Sequence, residues 1–200
     1  MDFIFDHPVP TITDESGWWC EAEVDIDPEE YATNLTAIFR GAAVLPTRYT
    51  REQLEQGFWM LISDTDSGLG SVFWNLDIPW LVRGSLIQAT VDLYRQLFAV
   101  DSLVTSPYMF WDALAYDYCV PTRYPDTDIE DRRVQDAMFS ALTQILEIDS
   151  CSCQRAALHG LGHLRHRDTA DAINRYLARH PTLGDAARRF AVACITGEIL

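Results

Sequence analysis

Apolar side chains recur at every third or fourth position along most of the chain, and this spacing predicts amphipathic α-helices. The clearest stretch spans residues 150–166, where Ala157, Leu158, Leu161 and Leu164 share one face. The other face is a basic, titratable stripe that consists of Arg155, His159, His163 and His166. We therefore expect a helix with one core face and one candidate binding face.

Two glycines, Gly160 and Gly162, interrupt this predicted helix. Each glycine inside a helix costs about 1 kcal/mol relative to alanine. A close approach by another element of the fold is the physical reason that best accounts for such a cost. The sequence therefore predicts that this helix is central and tightly packed.

Capping signals and apolar spacing predict the other helices. The run Asp27-Pro28-Glu29-Glu30 predicts a helix over 28–40, and the capping box from Thr50 to Gln53 predicts a helix over 51–62. Further helices are predicted over about 79–100, from Pro107 to about 118, and over 132–148, 170–180 and 185–196, with an acidic loop at 126–131. Short connections favour an all-α fold of antiparallel helix pairs.

The N-terminal residues follow a different period. Apolar positions from Trp18 to Ile26 alternate with acidic ones, which is typical of a strand. Residues 9–13 would pair with this strand in a β-hairpin, and an irregular extended arm is the alternative that the pattern leaves open. We therefore predict an N-terminal arm or hairpin over 1–27 and a single helical domain over 28–200.

The chain of 200 residues is strongly acidic, with a net charge of −15, 30 acidic residues and 15 basic ones. This charge disfavours nucleic acid as a ligand and attracts a basic protein partner, although acidity can also serve solubility alone. The candidate acidic partner surface consists of Glu21, Glu23, Asp25, Asp126, Asp128, Glu130 and Asp131.

Cysteine usage and hydropathy indicate where the protein works. The five cysteines are an odd number in a chain that is large enough to fold without disulfides. No run of about 18 apolar residues is present, and the N-terminus is acidic where a signal peptide would be basic. We therefore expect a reduced, cytoplasmic protein without a membrane partner.

The segment from Arg155 to Leu164 (RAALHGLGHL), followed by residues 168–177, resembles one unit of the HEAT-like repeats. The resemblance covers residues 150–196, and residues 134–148 supply a candidate partner helix, so that the HEAT-like part spans about 132–200. The runs Gln56 to Trp59, Phe110 to Asp112 and Cys153 to His163 are together similar to a group of uncharacterised bacterial helical proteins. The HEAT-like resemblance implies binding of another macromolecule.

Four candidate metal ligands lie close together in the chain, namely Cys151, Cys153, His159 and His163. The two histidines have the i, i+4 spacing that can hold one ion, but cysteines at i and i+2 on a helix diverge by about 200°. The set lacks a standard zinc spacing, and no HExxH motif or nucleotide-binding loop accompanies it. The sequence therefore assigns no metal and no cofactor, and predicts that the histidines hydrogen-bond neighbouring helices.

Trp111 and Asp112 lie on a predicted aromatic helix and complete the candidate binding face. A pairing of the Asp112 carboxylate with Arg155 or with a histidine of the stripe is one hypothesis, and such a pair would raise the pKa of that histidine. The sequence favours the other interpretation, a capping or surface role for Asp112 beside a core tryptophan.

Three functions fit these observations. The first is a non-catalytic module that binds a basic protein, in the manner of an acidic inhibitor or immunity-type protein. The second is a metal-assisted hydrolase that uses His159, His163 and a nearby acid such as Asp112. The third is a structural helical unit that associates with copies of itself.

Overall fold

The computed structural model describes residues 1–9, 25–63, 68–100, 103, 105–120 and 122–199. In these residues all regular secondary structure is helical, which confirms the all-α prediction. The helices are α1 (Asp2–Phe5), α2 (Pro28–Arg40), α3 (Arg51–Ile62), α4 (Leu69–Phe73), α5 (Trp80–Leu93), α6 (Ser106–Cys119), α7 (Ile129–Leu146), α8 (Cys151–Leu164), α9 (Thr169–Arg179) and α10 (Asp185–Thr196). A 3-10 helix spans Ala42–Thr47, and a π-helix over Tyr94–Phe98 continues α5.

The predicted caps of α2 and α3 are confirmed. The side chain of Asp27 accepts hydrogen bonds from the backbone N–H groups of Glu29 and Glu30. At α3 the Thr50 hydroxyl accepts from the N–H of Gln53, and the Gln53 side chain accepts from the N–H of Thr50. These local hydrogen bonds satisfy backbone donors that the first helical turn leaves without partners.

The prediction of an acidic loop over residues 126–131 is wrong for residues 129–131, which are helical. Helix α7 begins at Ile129 because the carboxylate of Asp128 accepts hydrogen bonds from the N–H groups of Glu130 and Asp131. Glu130 and Asp131 therefore lie in the first turn of the helix, where negative charge is favourable. The helix starts three residues earlier than apolar spacing alone indicates.

The predicted hairpin falls mainly on residues 10–24, which lie outside the described part of the chain. Before that segment the structure shows the short helix α1, which packs against α3. The ring of Phe5 contacts the rings of Tyr49 and Phe58. Ile4 and Phe5, which are buried, therefore belong to the helical core.

Helix α8 lies at the centre of the C-terminal half and packs against α6, α7, α9 and α10. A Cβ atom on Gly160 would lie only 2.5 Å from Cβ of Trp111 on α6 and 2.8 Å from Cδ2 of Leu142 on α7. A Cβ atom on Gly162 would lie 3.2 Å from Cα of Cys194 on α10. The predicted close approach is confirmed, since both glycines admit a neighbouring helix.

Helix α6 begins where the Ser106-Pro107 pair predicts, but its cap comes from another helix. The carboxylate of Glu55 on α3 accepts hydrogen bonds from the N–H groups of Thr105 and Ser106, at 3.0 and 2.9 Å. This contact fixes the start of α6, and the close packing at Gly160 fixes its distance from α8. Together they determine which side chains of α6 meet α8.

Among the helices of the described residues, none combines the length and the apolarity that a membrane span requires.

Candidate metal centre

Two helices bring three potential metal ligands together. Asp112 comes from α6, and His159 and His163 lie one turn apart on α8. The Nε2 atom of His163 lies 2.7 Å from Oδ1 of Asp112 and 3.1 Å from Nε2 of His159. One potential ligand atom from each residue lies within 4.8 Å of the other two. This is the cluster that the sequence-based hydrolase hypothesis named.

The two distances measured at Nε2 of His163 are close to those of a mononuclear centre. Zinc-type ions bind imidazole nitrogen at about 2.0–2.1 Å, so two such ligands at 90–110° lie about 2.8–3.4 Å apart. The 3.1 Å between the two Nε2 atoms falls inside that interval. The Asp112 contact is shorter, so the carboxylate would withdraw by a few tenths of an ångström to admit an ion. A small side-chain rotation is enough for that movement.

The centre is closed on the histidine side and open on the carboxylate side. His159 is 1% exposed and His163 is buried, whereas the side chain of Asp112 is 21% exposed. Asp112 lines a groove of about 530 Å³ between the α3–α4 region and α6. The groove is also lined by Ser63, Ser71, Trp74, Tyr116, Asp117 and Arg123. A small molecule in this groove would reach the cluster beside Asp112.

Neighbouring groups hold both imidazole rings. The ring of Tyr108 stacks on His159 with centroids 4.3 Å apart and an interplanar angle of 6°. On the far side of the His163 ring, Nδ1 lies 3.4 Å from Sγ of Cys119. The Nδ1 atom of His159 is buried and, in the described structure, has no hydrogen bond of good geometry. A contact at the second ring nitrogen, which is typical of imidazoles that bind metals through the first, is therefore present for His163 only.

Burial sets the protonation of the two histidines. It lowers the pKa of His159 below the usual 6.5, and the neighbouring His163 lowers it further. Burial also lowers the pKa of His163, and the opposing effect of Asp112 is smaller. The sequence left the pairing of Asp112 with a histidine as a hypothesis, and the structure shows it. Asp112 does raise the pKa of His163, but burial outweighs this effect, so the net shift is downwards. Both imidazoles are therefore neutral at pH 7, as metal ligation requires.

The other members of the candidate binding face, Trp111, Arg155 and His166, are not part of the three-residue cluster. Trp111 is buried where α6 meets α8, and Arg155 is exposed, with its guanidinium 4.8 Å from the ring centroid of Tyr108. His166 is buried away from the cluster: its Nε2 lies 2.9 Å from Oδ1 of Asp136, and its ring stacks on Phe139. Most of the stripe therefore faces the interior.

The two cysteines at the start of α8 do not belong to the centre. Cys151 is exposed and Cys153 is buried, as expected for positions i and i+2 on one helix. Burial raises the pKa of the Cys153 thiol. Among the described residues, the potential ligand set is therefore restricted to one carboxylate and two imidazoles.

Much of the candidate acidic surface has internal partners. Asp131 is buried and accepts a hydrogen bond from the N–H of Tyr124 at 2.8 Å. Glu130 forms ion pairs with Arg83 at 3.0 Å and with Arg133 at 2.7 Å. Asp25, Asp126 and Asp128 are exposed, and Glu21 and Glu23 lie outside the described residues.

Sequence reasoning missed Tyr108 and Cys119. Both lie on α6 on the same side as Asp112, because the three positions are separated by one and by two helical turns. A search of α6 for polar or reactive side chains at these intervals would have found this second stripe. The signal was hidden because α6 is rich in aromatic residues on all sides.

No protein-family model, curated protein or solved structure matches this chain.

Proposed function

We propose that this protein binds one divalent transition-metal ion through Asp112, His159 and His163 and uses it to activate water for hydrolysis. The observation that carries the proposal is the convergence of one carboxylate oxygen and two Nε2 atoms at the junction of α6 and α8. Two imidazoles with one carboxylate favour borderline ions such as Zn²⁺ over Mg²⁺ or Ca²⁺, which prefer oxygen ligands.

The number of protein ligands supports a chemical role for the ion. Structural zinc sites have four protein ligands, whereas catalytic sites have three and leave a position for water. A bound ion would lower the pKa of that water to about 7 and supply hydroxide to a carbonyl or phosphoryl centre. The groove beside Asp112 provides the approach for a substrate.

Metal analysis of the purified protein tests this proposal. After exposure to zinc and removal of loosely bound ions, we expect about one equivalent per chain in the wild type. The His159→Ala and Asp112→Ala variants should lose it. His180→Ala is the matched control, because His180 lies at the C-terminal end of α9, where its imidazole contacts Tyr176. A wild type that retains no zinc, iron, cobalt or nickel refutes the proposal.

The protein-binding hypothesis is the second candidate, in the form of an acidic inhibitor or immunity-type protein with a basic partner. Support comes from the N-terminal ends of α5 and α7, where Leu81 and Ile129 are 82% and 75% exposed. Ile129 lies inside the acidic segment 126–131, and the whole chain has a net charge of −15. An apolar centre with acidic surroundings suits a basic partner surface.

Affinity capture from the host at two salt concentrations tests the second candidate. A basic partner should elute as salt rises, and Ile129→Glu should abolish its capture. Val100→Glu is the control, because Val100 is equally exposed at the end of the π-helix. Equal capture by both variants would exclude this surface as the interface.

The HEAT-like arrangement of residues 132–200 also belongs to this proposal, and the packing of α8 against α7, α9 and α10 supports it.

A further inference from the structure

Cys119 on α6 contacts the Nδ1 side of the His163 ring. Cys119 lies two turns after Asp112, and its Sγ is 3.4 Å from Nδ1 of His163. Asp112 contacts the opposite edge of the same ring, at Nε2. Helix α6 therefore contacts both nitrogens of this imidazole.

The protonation of His163 differs between the metal-free and the metal-bound centre. Without a metal, Nε2–H donates to the carboxylate of Asp112, and Nδ1 accepts from the thiol of Cys119. With a metal, Nε2 must give its lone pair to the ion, so the proton resides on Nδ1 and needs an acceptor. The sulfur of Cys119 is the nearest one. A thiol suits both states because it is a weak donor and a weak acceptor.

We infer that Cys119 is a positioning residue of this metal centre, where its sulfur accepts a hydrogen bond from Nδ1–H and so fixes the ring orientation of His163 that metal binding requires. This inference rests on the proposed function. Cys119 touches neither the ion nor a substrate, because its sulfur lies on the side of the ring that faces away from Asp112 and His159. It acts through His163 alone.

Substitutions at Cys119 separate this role from packing. Cys119→Val keeps an apolar side chain of similar size without a hydrogen bond, and Cys119→Ala removes the sulfur altogether. Each should weaken zinc binding by about 10–100-fold, as loss of a contact behind a ligand usually does. Cys119→Ser keeps a donor and an acceptor and should retain most of the affinity. Cys151→Ala is the control, because Cys151 is exposed and far from the cluster.

Zinc affinity is measured by competition with a chelating dye, and the tautomer of His163 is read from imidazole ¹⁵N chemical shifts. In the wild type we expect Nε2–H without metal and Nδ1–H with zinc. In zinc-loaded Cys119→Val and Cys119→Ala, the Nδ1–H proton of His163 loses its acceptor, so its signal should shift from the wild-type position, whereas the metal-free variants should keep Nε2–H because Asp112 still accepts from it. The melting temperature of each metal-free variant shows that it is folded.

The outcomes distinguish this inference from the proposed function. If the wild type binds zinc and Cys119→Val binds it with the same affinity, the role of Cys119 is overturned and the metal centre remains supported. If the wild type takes up no metal, the proposed function fails, and with it the metal-centre role of Cys119. An unchanged Nδ1–H signal of His163 in both zinc-loaded variants would overturn the inference by itself.

Discussion

Replacement of Gly160 by alanine tests the central packing of this fold. The new Cβ would lie 2.5 Å from Cβ of Trp111 and 2.8 Å from Cδ2 of Leu142. Carbon atoms in contact normally lie about 3.5–4.0 Å apart. Leu142 can rotate away, but Cβ of Trp111 is attached directly to the backbone of α6. Helix α6 must therefore retreat from α8 by about 1 Å.

The magnitude follows from two opposing effects. Overpacking of a well-packed core costs about 1–3 kcal/mol, and a clash with a backbone-attached atom belongs at the upper end of that range. Alanine regains about 1 kcal/mol of helix propensity. The expected net loss is about 2 kcal/mol in the free energy of unfolding. At 2–4 °C per kcal/mol for a protein of this size, the melting temperature should fall by about 4–8 °C.

Chemical and thermal denaturation, followed by circular dichroism, measure this change. Gly70→Ala in α4 is the matched control, because its nearest neighbour would be an atom of Trp74 at 3.9 Å, an ordinary contact. This control should be as stable as the wild type, or more stable by up to about 1 kcal/mol. A Gly160→Ala variant at least as stable as the wild type would refute the close approach of α6 and α8.

Two further predictions concern titration and thiol chemistry. Burial lowers the pKa of His159 and His163 in the folded chain, so the unfolded chain binds more protons below pH 6.5. In the presence of a chelator, the free energy of unfolding should therefore decline as the pH falls from about 7 towards 5. Urea unfolding at several pH values measures the slope, which should be shallower in His163→Gln; an identical slope would contradict the assignment. Cys151 is exposed, whereas Cys194 is buried with its pKa raised to about 12, so Cys151→Ser should remove one rapidly reacting thiol and Cys194→Ser none. A loss of rapid labelling in Cys194→Ser would show that α10 does not cover its thiol.

Local patterns predicted most of the helical boundaries. The caps of α2 and α3 involve residues two or three positions apart, so the information lies within one turn. Helix α7 shows the limit of apolar spacing, since its start is set by the polar cap Asp128. The two glycines of α8 also predicted a close neighbour, although not which helix supplies it.

Candidate metal ligands were only partly visible in the sequence. The spacing of His159 and His163 places both side chains on one face of α8 wherever that helix lies. Asp112 was one of several acids that could have faced them. The spacing that places Cys119 on the same side of α6 as Asp112 was obscured by the aromatic residues of that helix. The burial of the histidines, and therefore the direction of their pKa shifts, depends on the helices that cover α8.

The sequence by itself determined the helical class, the main helix boundaries and the acidic charge, because these depend on neighbours along the chain or on composition. Only the tertiary structure decided that Asp112 meets His163, that Cys119 lies behind the same ring and that Arg83 neutralises Glu130. These contacts join residues more than forty positions apart. They depend on the relative rotation and translation of packed helices, which side-chain interlocking across the whole core fixes.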